Sequence, residues 1–299
     1  MATTAGLRPL PVSDEDIAAY RRDGAVLIRN LLSRDELALL EAGIEQGRKQ
    51  PSAMYSRYQG ASGSGETIID QLPSKRSPML HRLFEESPVA ELAARMMGSP
   101  SAQLVLDQIF YKEAGEVVPT PWHQDTPFLN VRGNDLARIW LPCDPSPRDV
   151  AIQVVRGSHL WNVIYSTSTT TSTEPANVVK ADEGDAFSYD GVGGDDLPAI
   201  PDIDNHSDSF EILSWDVEPG DAVVFHGNIL HGARGKASHP QRRRALAALF
   251  GGPQLRYHHP AGHGMPLPGG ESDRPIAEGA PIGDHPDVFP VIWRESGAA

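Results

Sequence analysis

The chain has 299 residues, with 26 lysines and arginines against 40 aspartates and glutamates, and its formal net charge is −14. This charge argues against general binding to nucleic acid or to anionic membrane surfaces. A content of 39% hydrophobic and 22% charged residues argues against a wholly disordered chain. Cys143 is the only cysteine, which excludes an internal disulfide and any multi-cysteine metal site. The opening residues lack the apolar core of a signal peptide, and no apolar run is long enough to span a bilayer, so we expect a cytoplasmic protein.

The N-terminal part, residues 1–100, is predicted to be mainly helical. Ser13 and Ser33 are suitable N-caps with acidic residues in the turn that follows each, and they predict helices over 14–23 and 34–50. The apolar run 25–28 between them is typical of a short strand. Two further short helices are predicted near 77–86 and 88–97.

Residues 51–75 are polar and contain three glycines, so we interpret this stretch as a long loop. Loops of this length are often functional. Tyr55, Arg57 and Tyr58 are the residues in it from which we expect contacts with a substrate.

From residue 101 to 250 the pattern changes to short strands separated by turns. The predicted strands are 103–112, 137–143, 151–155, 211–217, 222–226 and 243–250. Several short strands with regular turns favour a β-sandwich or barrel over a βαβ fold. Residues 251–299 are rich in proline, glycine and histidine and are interpreted as an irregular tail.

An insertion over residues 162–210 interrupts the strands. Residues 166–173 are all serine or threonine, and residues 181–208 contain nine acidic residues with no lysine or arginine. This composition is typical of a solvated loop. The insertion is the second segment in which we expect substrate contacts, and it carries most of the net negative charge.

The segment Trp122-His123-Gln124-Asp125 contains the first candidate metal ligands. In an extended chain, side chains two residues apart point to the same face, so His123 and Asp125 can reach one point. A second histidine from a distant strand would complete the two-histidine, one-carboxylate triad of non-haem iron oxygenases. Both His226 and His231 lie in a later strand-like segment and are candidates for that role.

Three motifs in order resemble the phytanoyl-CoA dioxygenase family of Fe(II)- and 2-oxoglutarate-dependent oxygenases. They are Trp122-His123-Gln124-Asp125, Gly157-Ser158-His159, and Pro219-Gly220-Asp221 leading to Leu230-His231-Gly232. The resemblance implies a mainly β fold with flanking helices, in which a double-stranded β-helix (jelly-roll, cupin-like) core follows the N-terminal helices. We therefore expect one oxygenase domain over residues 1–299.

The resemblance also implies roles for individual residues. His123, Asp125 and His231 would bind the iron, the family's position favouring His231 over His226. An arginine at the start of the next strand would pair with the far carboxylate of 2-oxoglutarate. Arg242, Arg243 and Arg244 compete for this role, and Arg243 is preferred because alternation puts it on one face with Ala245 and Ala247. Trp140 would line the co-substrate pocket, and the further candidates for that pocket are Lys112, Gln108 and Thr120.

The implied reaction uses Fe(II), 2-oxoglutarate and O2, releases succinate and CO2, and oxidises an unactivated C–H bond of a small molecule. A natural-product intermediate is the expected substrate, because an acidic chain fits a polyphosphate-bearing CoA ester poorly. Asp125 stands where iron halogenases have glycine or alanine, which argues against halogenation. The alternatives are a non-catalytic jelly-roll binding protein and a cupin-type metalloenzyme that does not use 2-oxoglutarate.

Overall fold

The computed structural model describes residues 9–52, 54–59, 62–167, 194, 196–270 and 275–297. Four α-helices lie in the N-terminal third: α1 (Asp14–Asp23), α2 (Arg34–Lys49), α3 (Pro78–Glu86) and α4 (Val89–Met97). Ser13 and Ser33 both form capping boxes, each side chain accepting from the backbone three residues on while an acidic side chain bonds back to the cap. The four predicted helices are thereby confirmed.

Sixteen strands are found among the described residues. In the first half they are β1 (Ala25–Ile28), β2 (Tyr55–Gln59), β3 (Glu66–Gln71), β4 (Ser101–Lys112), β5 (Gly115–Val117), β6 (Thr120–His123), β7 (Val131–Arg132) and β8 (Leu136–Pro142). In the second half they are β9 (Ile152–Val155), β10 (Ile212–Ser214), β11 (Ala222–His226), β12 (His231–Ala233), β13 (Lys236–His239), β14 (Arg243–Gly251), β15 (Arg256–Tyr257) and β16 (Val291–Arg294).

Twelve of these strands form a large and a small antiparallel sheet, and the other four form two two-stranded sheets, β5 with β13 and β7 with β15. The large sheet has the order β1-β11-β8-β14-β4-β3-β2, and β16 also pairs with β4. The small sheet has the order β10-β9-β12-β6. Strands distant in the chain are neighbours in both sheets, as the jelly-roll prediction requires.

Alternation along β14 separates the two faces of the large sheet. Leu246, Ala248 and Phe250 pack with apolar residues of the four helices. Ala245 and Ala247 lie on the opposite face, in one cluster with Trp140 of β8 and Val154 of the small sheet. The helices therefore cover one face of the large sheet, and the small sheet covers the other.

Two sequence predictions about irregular segments were wrong. Residues 51–75 contain the hairpin β2–β3, which extends the large sheet beyond β4. Strand β2 forms the edge of the sheet, and most of its polar side chains stay at least partly exposed. The tail from residue 251 contains β15 and β16, and β16 pairs with the first half of β4.

No α-helix within the described ranges combines the length and the apolar character needed to cross a lipid bilayer.

Candidate metal centre and adjoining cavity

His123 and His231 face each other across two strands of the small sheet. Their α-carbons are register partners in the β6–β12 pair, and their ring centroids are 4.1 Å apart. The pairing is close: a Cβ on Gly232 would lie only 2.8 Å from the carbonyl oxygen of Thr120. A glycine directly after His231 thus allows the two short strands to approach and brings the two imidazoles together.

Asp125 reaches the same point by a different route from the one predicted. Strand β6 ends at His123, and Asp125 has φ −72° and ψ −40°, so it lies in a turn rather than on an extended chain. Its backbone N–H donates to the carbonyl of Gly227 at 3.0 Å. Its Oδ1 lies 3.9 Å from His123 Nε2 and 3.7 Å from His231 Nε2. The predicted juxtaposition is present, but a turn held by a distant loop produces it.

The protonation of the three side chains suits metal binding. Nδ1 of His123 donates to the carbonyl of Pro121 at 2.8 Å, and Nδ1 of His231 donates to that of Ile229 at 3.0 Å. These bonds leave Nε2 of each ring as the lone-pair donor. Burial lowers the pKa of His123, and burial and the neighbouring His123 lower the pKa of His231 to about 3. Burial raises the pKa of Asp125, but Arg138 and the two histidines outweigh this and hold it below its usual value.

These residues fit a divalent transition metal. The three ligand atoms lie within 4.8 Å of one another, and no other group of three or more His, Cys, Asp or Glu in the described ranges meets this criterion. Oδ2 of Asp125 is buried without a hydrogen-bond partner, so the carboxylate is incompletely satisfied by the protein alone. Two imidazoles and one carboxylate are the ligand set of non-haem Fe(II) oxygenases.

The centre opens into a cavity of about 610 Å³ between the two sheets. All eight sequence-predicted site residues line it: Gln108, Lys112, Thr120, His123, Asp125, Trp140, His231 and Arg243. Tyr58 of the β2–β3 hairpin also lines it, whereas Tyr55 and Arg57 do not. Thr167 and Gly194, at the two edges of the undescribed part of the insertion, line it as well.

The three competing arginines have different surroundings. Arg242 contacts the Tyr111 hydroxyl and Glu45, and Arg244 forms ion pairs with Asp144 and Glu45. Arg243 is buried, donates from one terminal nitrogen to the carbonyl of Val150 at 2.6 Å, and has a second terminal nitrogen with no partner. Arg243 therefore has unused hydrogen-bonding capacity beside the cavity, as the alternation argument expected.

The other predicted residues surround the floor of the cavity. Lys112 is the register partner of Arg243 across β4 and β14, and Trp140 is that of Ala247 across β8 and β14. Burial and Arg243 lower the pKa of Lys112 to about 7. Thr120 faces Ala233 across β6 and β12. Gln108 is the register partner of Ala247 on β4.

Arg138 is a site residue that the sequence reasoning missed. It lies on β8, is only 3% exposed, and lines the cavity beside Asp125, with one terminal nitrogen 3.8 Å from Asp125 Oδ2. Strand alternation could have found it, because Ala137, Ile139 and Leu141 pack against the helices and Arg138 must then face the same way as Trp140.

The residues between and beside the two N-terminal ligands bind the insertion. The buried Gln124 amide donates to the carbonyls of Val163 and Asn228 and accepts from the N–H of Tyr165. Trp122 Nε1 donates to Asp204 Oδ1 at 2.9 Å. Both ends of the insertion are thus attached to the segment that carries His123 and Asp125. The acidic residues at 182–190 and at 195 lie outside the described residues.

His226, His159 and Cys143 have surroundings that indicate a structural role. His226 donates from Nε2 to the carbonyl of Asn134 and accepts at Nδ1 from the N–H of Asn228. The ring of His159 lies 5.1 Å from that of His226, tilted by 41°, and its Nε2 donates to the carbonyl of Arg21. Burial raises the pKa of the Cys143 thiol, which matches a packed strand-end residue.

The family model for phytanoyl-CoA dioxygenase (PhyH) matches residues 20–245, and the chain belongs to this family. An ectoine dioxygenase from Sphingopyxis alaskensis is 22% identical over 272 residues, which are 86% of this chain and 82% of that protein. The multifunctional dioxygenase ausE from Emericella nidulans is 23% identical over 260 residues, which are 82% of this chain and 76% of that protein.

Solved structures show the same fold. The non-haem α-ketoglutarate-dependent epimerase SnoN from nogalamycin biosynthesis superposes with a TM-score of 0.68 at 21% identity, covering 96% of this chain and 98% of that one. EctD from S. alaskensis superposes with a TM-score of 0.62 at 18% identity, covering 90% and 86%. These comparisons confirm the predicted family, the jelly-roll class and the class of enzyme, an Fe(II)- and 2-oxoglutarate-dependent oxygenase.

Proposed function

We propose that this oxygenase binds Fe(II) through His123, Asp125 and His231 and oxidises an unactivated C–H bond of a small molecule. The observation that supports the ligand assignment best is the convergence of two unprotonated Nε2 atoms on one carboxylate oxygen within 4 Å. When bound there, the metal would supply the activation of O2, coupled to oxidation of 2-oxoglutarate to succinate and CO2. His123, Asp125 and His231 would hold the metal at the wall of the cavity, where the co-substrate and O2 could reach it.

We assign the far carboxylate of 2-oxoglutarate to Arg243. Its unpartnered terminal nitrogen and the planar fork of a guanidinium suit two parallel hydrogen bonds to a carboxylate. Lys112, its register partner, supplies a second cation, and Thr120 a hydroxyl, at the same end of the cavity. Ala245 and Ala247 leave space between Arg243 and the metal ligands, and Trp140 bounds that space.

We assign the substrate to the other end of the cavity. That end has apolar walls, formed by Leu106, Phe128, Leu129 and Met265, which belong to one packed cluster. The described lining has four cationic residues. Lys112 and Arg243 belong to the co-substrate end, Arg244 is already ion-paired, and Arg138 faces the carboxylate of Asp125. This distribution supports a mainly apolar small molecule, such as a natural-product intermediate, over a CoA ester with several phosphates.

The protein's contribution to the reaction is to orient and to exclude water. The backbone carbonyls of Pro121 and Ile229 fix the tautomer and the direction of the two imidazoles. The apolar cluster keeps the reacting carbon in a dry environment, where a reactive oxidant is protected from side reactions. Tyr58 and the edges of the insertion, at Thr167 and Gly194, are the residues from which we expect control of substrate entry.

Two further proposals concern the cellular location of the enzyme and its binding partners. We propose the cytoplasm as its location, because the single buried cysteine needs no oxidising compartment. The net charge of −14 supports a small-molecule partner over nucleic acid or a membrane surface.

The deciding experiment is an anaerobic titration of the purified chain with Fe(II) and 2-oxoglutarate, followed in the visible range. A weak charge-transfer band that saturates with 2-oxoglutarate is expected for wild type. Admission of O2 to the same sample with a candidate substrate should then yield succinate, and Asp125→Ala should lose this coupled succinate formation. Absence of the band in wild type would leave the binding-protein or cupin-type alternative. Unimpaired turnover in Asp125→Ala would refute the ligand assignment.

A further inference from the structure

Two buried polar atoms lie next to each other at the metal centre without partners. One terminal nitrogen of Arg138, Nη1, has no hydrogen-bond partner, and neither has Oδ2 of Asp125. These two atoms are 3.8 Å apart. A hydrogen bond between them would need about 0.9 Å less. A buried polar atom without a hydrogen-bond partner lowers the stability of the protein, so the presence of two such atoms side by side indicates a functional role.

The two oxygens of Asp125 face different neighbours. Oδ1 faces the Nε2 atoms of His123 and His231, whereas Oδ2 faces Arg138. A metal held by the two histidines therefore takes Oδ1 and leaves Oδ2 directed at the guanidinium. Asp125 is also the only carboxylate within 4 Å of the Arg138 guanidinium in the part of the chain that the structure describes.

The Arg138 guanidinium is itself held in place from its other side. Its second terminal nitrogen donates to the side-chain carbonyl of Gln108. Its partners in strand register, Leu249 and Phe225, are apolar and buried. A rigid planar fork anchored at one end can direct its free N–H at a fixed point, which a lysine could not do in the same way.

We propose that Arg138 is a positioning residue that binds Oδ2 of Asp125 when Oδ1 binds the metal. The bond would hold the carboxylate in one orientation, with Oδ1 directed at the two histidines and Oδ2 at the guanidinium. Gln108 then acts through Arg138, by orienting it. This inference rests on the metal centre proposed above.

The test measures metal binding alone and needs neither substrate nor turnover. Co(II) is titrated into the full-length wild-type chain and into Arg138→Gln and Arg138→Lys, with the affinity and the visible spectrum as readouts. Loss of an outer-sphere partner costs about 10–100-fold in metal affinity, and we expect a loss in this range for Arg138→Gln. Arg138→Lys keeps the charge but not the fork, and a smaller loss of at least about threefold is expected.

The direction in which the Co(II) affinity of Arg138→Gln changes distinguishes a positioning role from a purely electrostatic effect. Removing a positive charge next to a divalent cation would by itself strengthen metal binding. Weaker binding by Arg138→Gln therefore supports positioning. Unchanged or stronger binding overturns it, and the free N–H is then assigned to an acceptor group of the substrate. If Arg138→Gln fails to fold by circular dichroism, Arg138→Lys decides alone: wild-type Co(II) affinity in that variant overturns the proposal.

Two controls make the outcome specific. Arg148→Gln removes one exposed arginine that pairs with Asp216 away from the cavity, and it should bind Co(II) as wild type does. His231→Ala should weaken Co(II) binding by more than about 100-fold. If His231→Ala still binds Co(II) normally, the metal centre itself is misassigned. If His231→Ala loses Co(II) binding while the Arg138 variants bind as wild type does, the metal centre stands and the positioning role fails.

Discussion

The large sheet presents its cavity residues from long, continuously paired strands, whereas the small sheet presents the metal candidates from short strands and a turn. Arg243 and Lys112 lie on strands of nine and twelve residues, paired with each other in unbroken register up to Leu249. His123 and His231 lie on strands of four and three residues, and Asp125 lies beyond the end of its strand. The register between the small-sheet strands also shifts directly after His231.

This difference shows where the precision of the metal centre comes from. In the large sheet, continuous backbone pairing fixes the positions of the strands that carry Arg243 and Lys112. Beside the short strands of the small sheet, side-chain hydrogen bonds hold the segment that carries Asp125. The Gln124 side chain bonds to the backbone of residues 163, 165 and 228, and the Thr126 hydroxyl bonds to the Asn228 side chain. We therefore expect substitutions of Arg243 and Lys112 in the large sheet to change co-substrate binding at constant stability. Substitutions in the network of the small sheet should change stability and metal binding together.

The largest effect is expected from the metal ligands themselves. His231→Ala should weaken Fe(II) or Co(II) binding by more than about 100-fold, above the loss that an outer-sphere residue causes. His226→Gln is the matched control, because His226 bonds to Asn134 and Asn228 and does not face Asp125. Metal titration with both variants checks this. Equal losses in the two would mean that general disruption of this region, and not loss of the ligand atom, weakens binding.

The next largest effect is expected on 2-oxoglutarate binding, where Arg243 and its neighbour Arg242 should differ. Arg243→Met should weaken 2-oxoglutarate binding by about 100-fold, or about 2.8 kcal/mol, since hydrogen bonds to a charged group are worth about 1.5–3 kcal/mol each. Arg242→Met removes an arginine from the neighbouring position, where it contacts Glu45 and Tyr111. That variant should bind the co-substrate as wild type does. The dissociation constants come from the anaerobic charge-transfer titration, and similar losses in both variants would contradict the assignment to Arg243.

A smaller effect tests the network of the small sheet. Gln124→Ala removes a buried amide that bonds to three backbone groups, leaving the N–H of Tyr165 and two carbonyls without it. We expect a loss of about 2–4 kcal/mol in the free energy of unfolding together with weaker metal binding. Gln59→Ala, which removes one exposed bond to Gly63, should change stability by less than about 0.5 kcal/mol. Urea unfolding followed by circular dichroism measures both. A stable Gln124→Ala with normal metal affinity would show that the turn holds without the network.

The same difference between the two sheets explains which parts of the fold and the site could be predicted from the sequence. Periodicity predicted five strands of the large sheet, β1, β4, β8, β11 and β14, to within two residues at each end. Alternation selected Arg243 from three adjacent arginines, because side chains along a regular strand point alternately to its two faces. The position of Asp125 depends on a hydrogen bond to Gly227, about a hundred residues away, which no local pattern encodes. The polar composition of residues 51–75 predicts a loop, whereas the structure has the hairpin β2–β3 there. The hairpin forms because β3 pairs with β4, and the local sequence does not reveal this long-range pairing. Arg138 was within reach of alternation, but its proximity to Asp125 required the folded turn.

The smallest expected effect is a pH dependence at the large sheet. Burial and Arg243 lower the pKa of Lys112 to about 7, so in the free enzyme Lys112 is protonated below pH 7 and increasingly neutral above it. A bound carboxylate favours the protonated ammonium, so above pH 7 binding of 2-oxoglutarate must take up a proton. The dissociation constant should therefore be flat below about pH 7 and rise above it, with a limiting slope of about tenfold per pH unit. Titrations between about pH 6 and pH 9 measure this, with Lys112→Met expected to be flat and Lys49→Met, at the exposed end of α2, expected to follow wild type. If Lys112→Met keeps the slope, another group accepts the proton and the second cation of the co-substrate end is not Lys112.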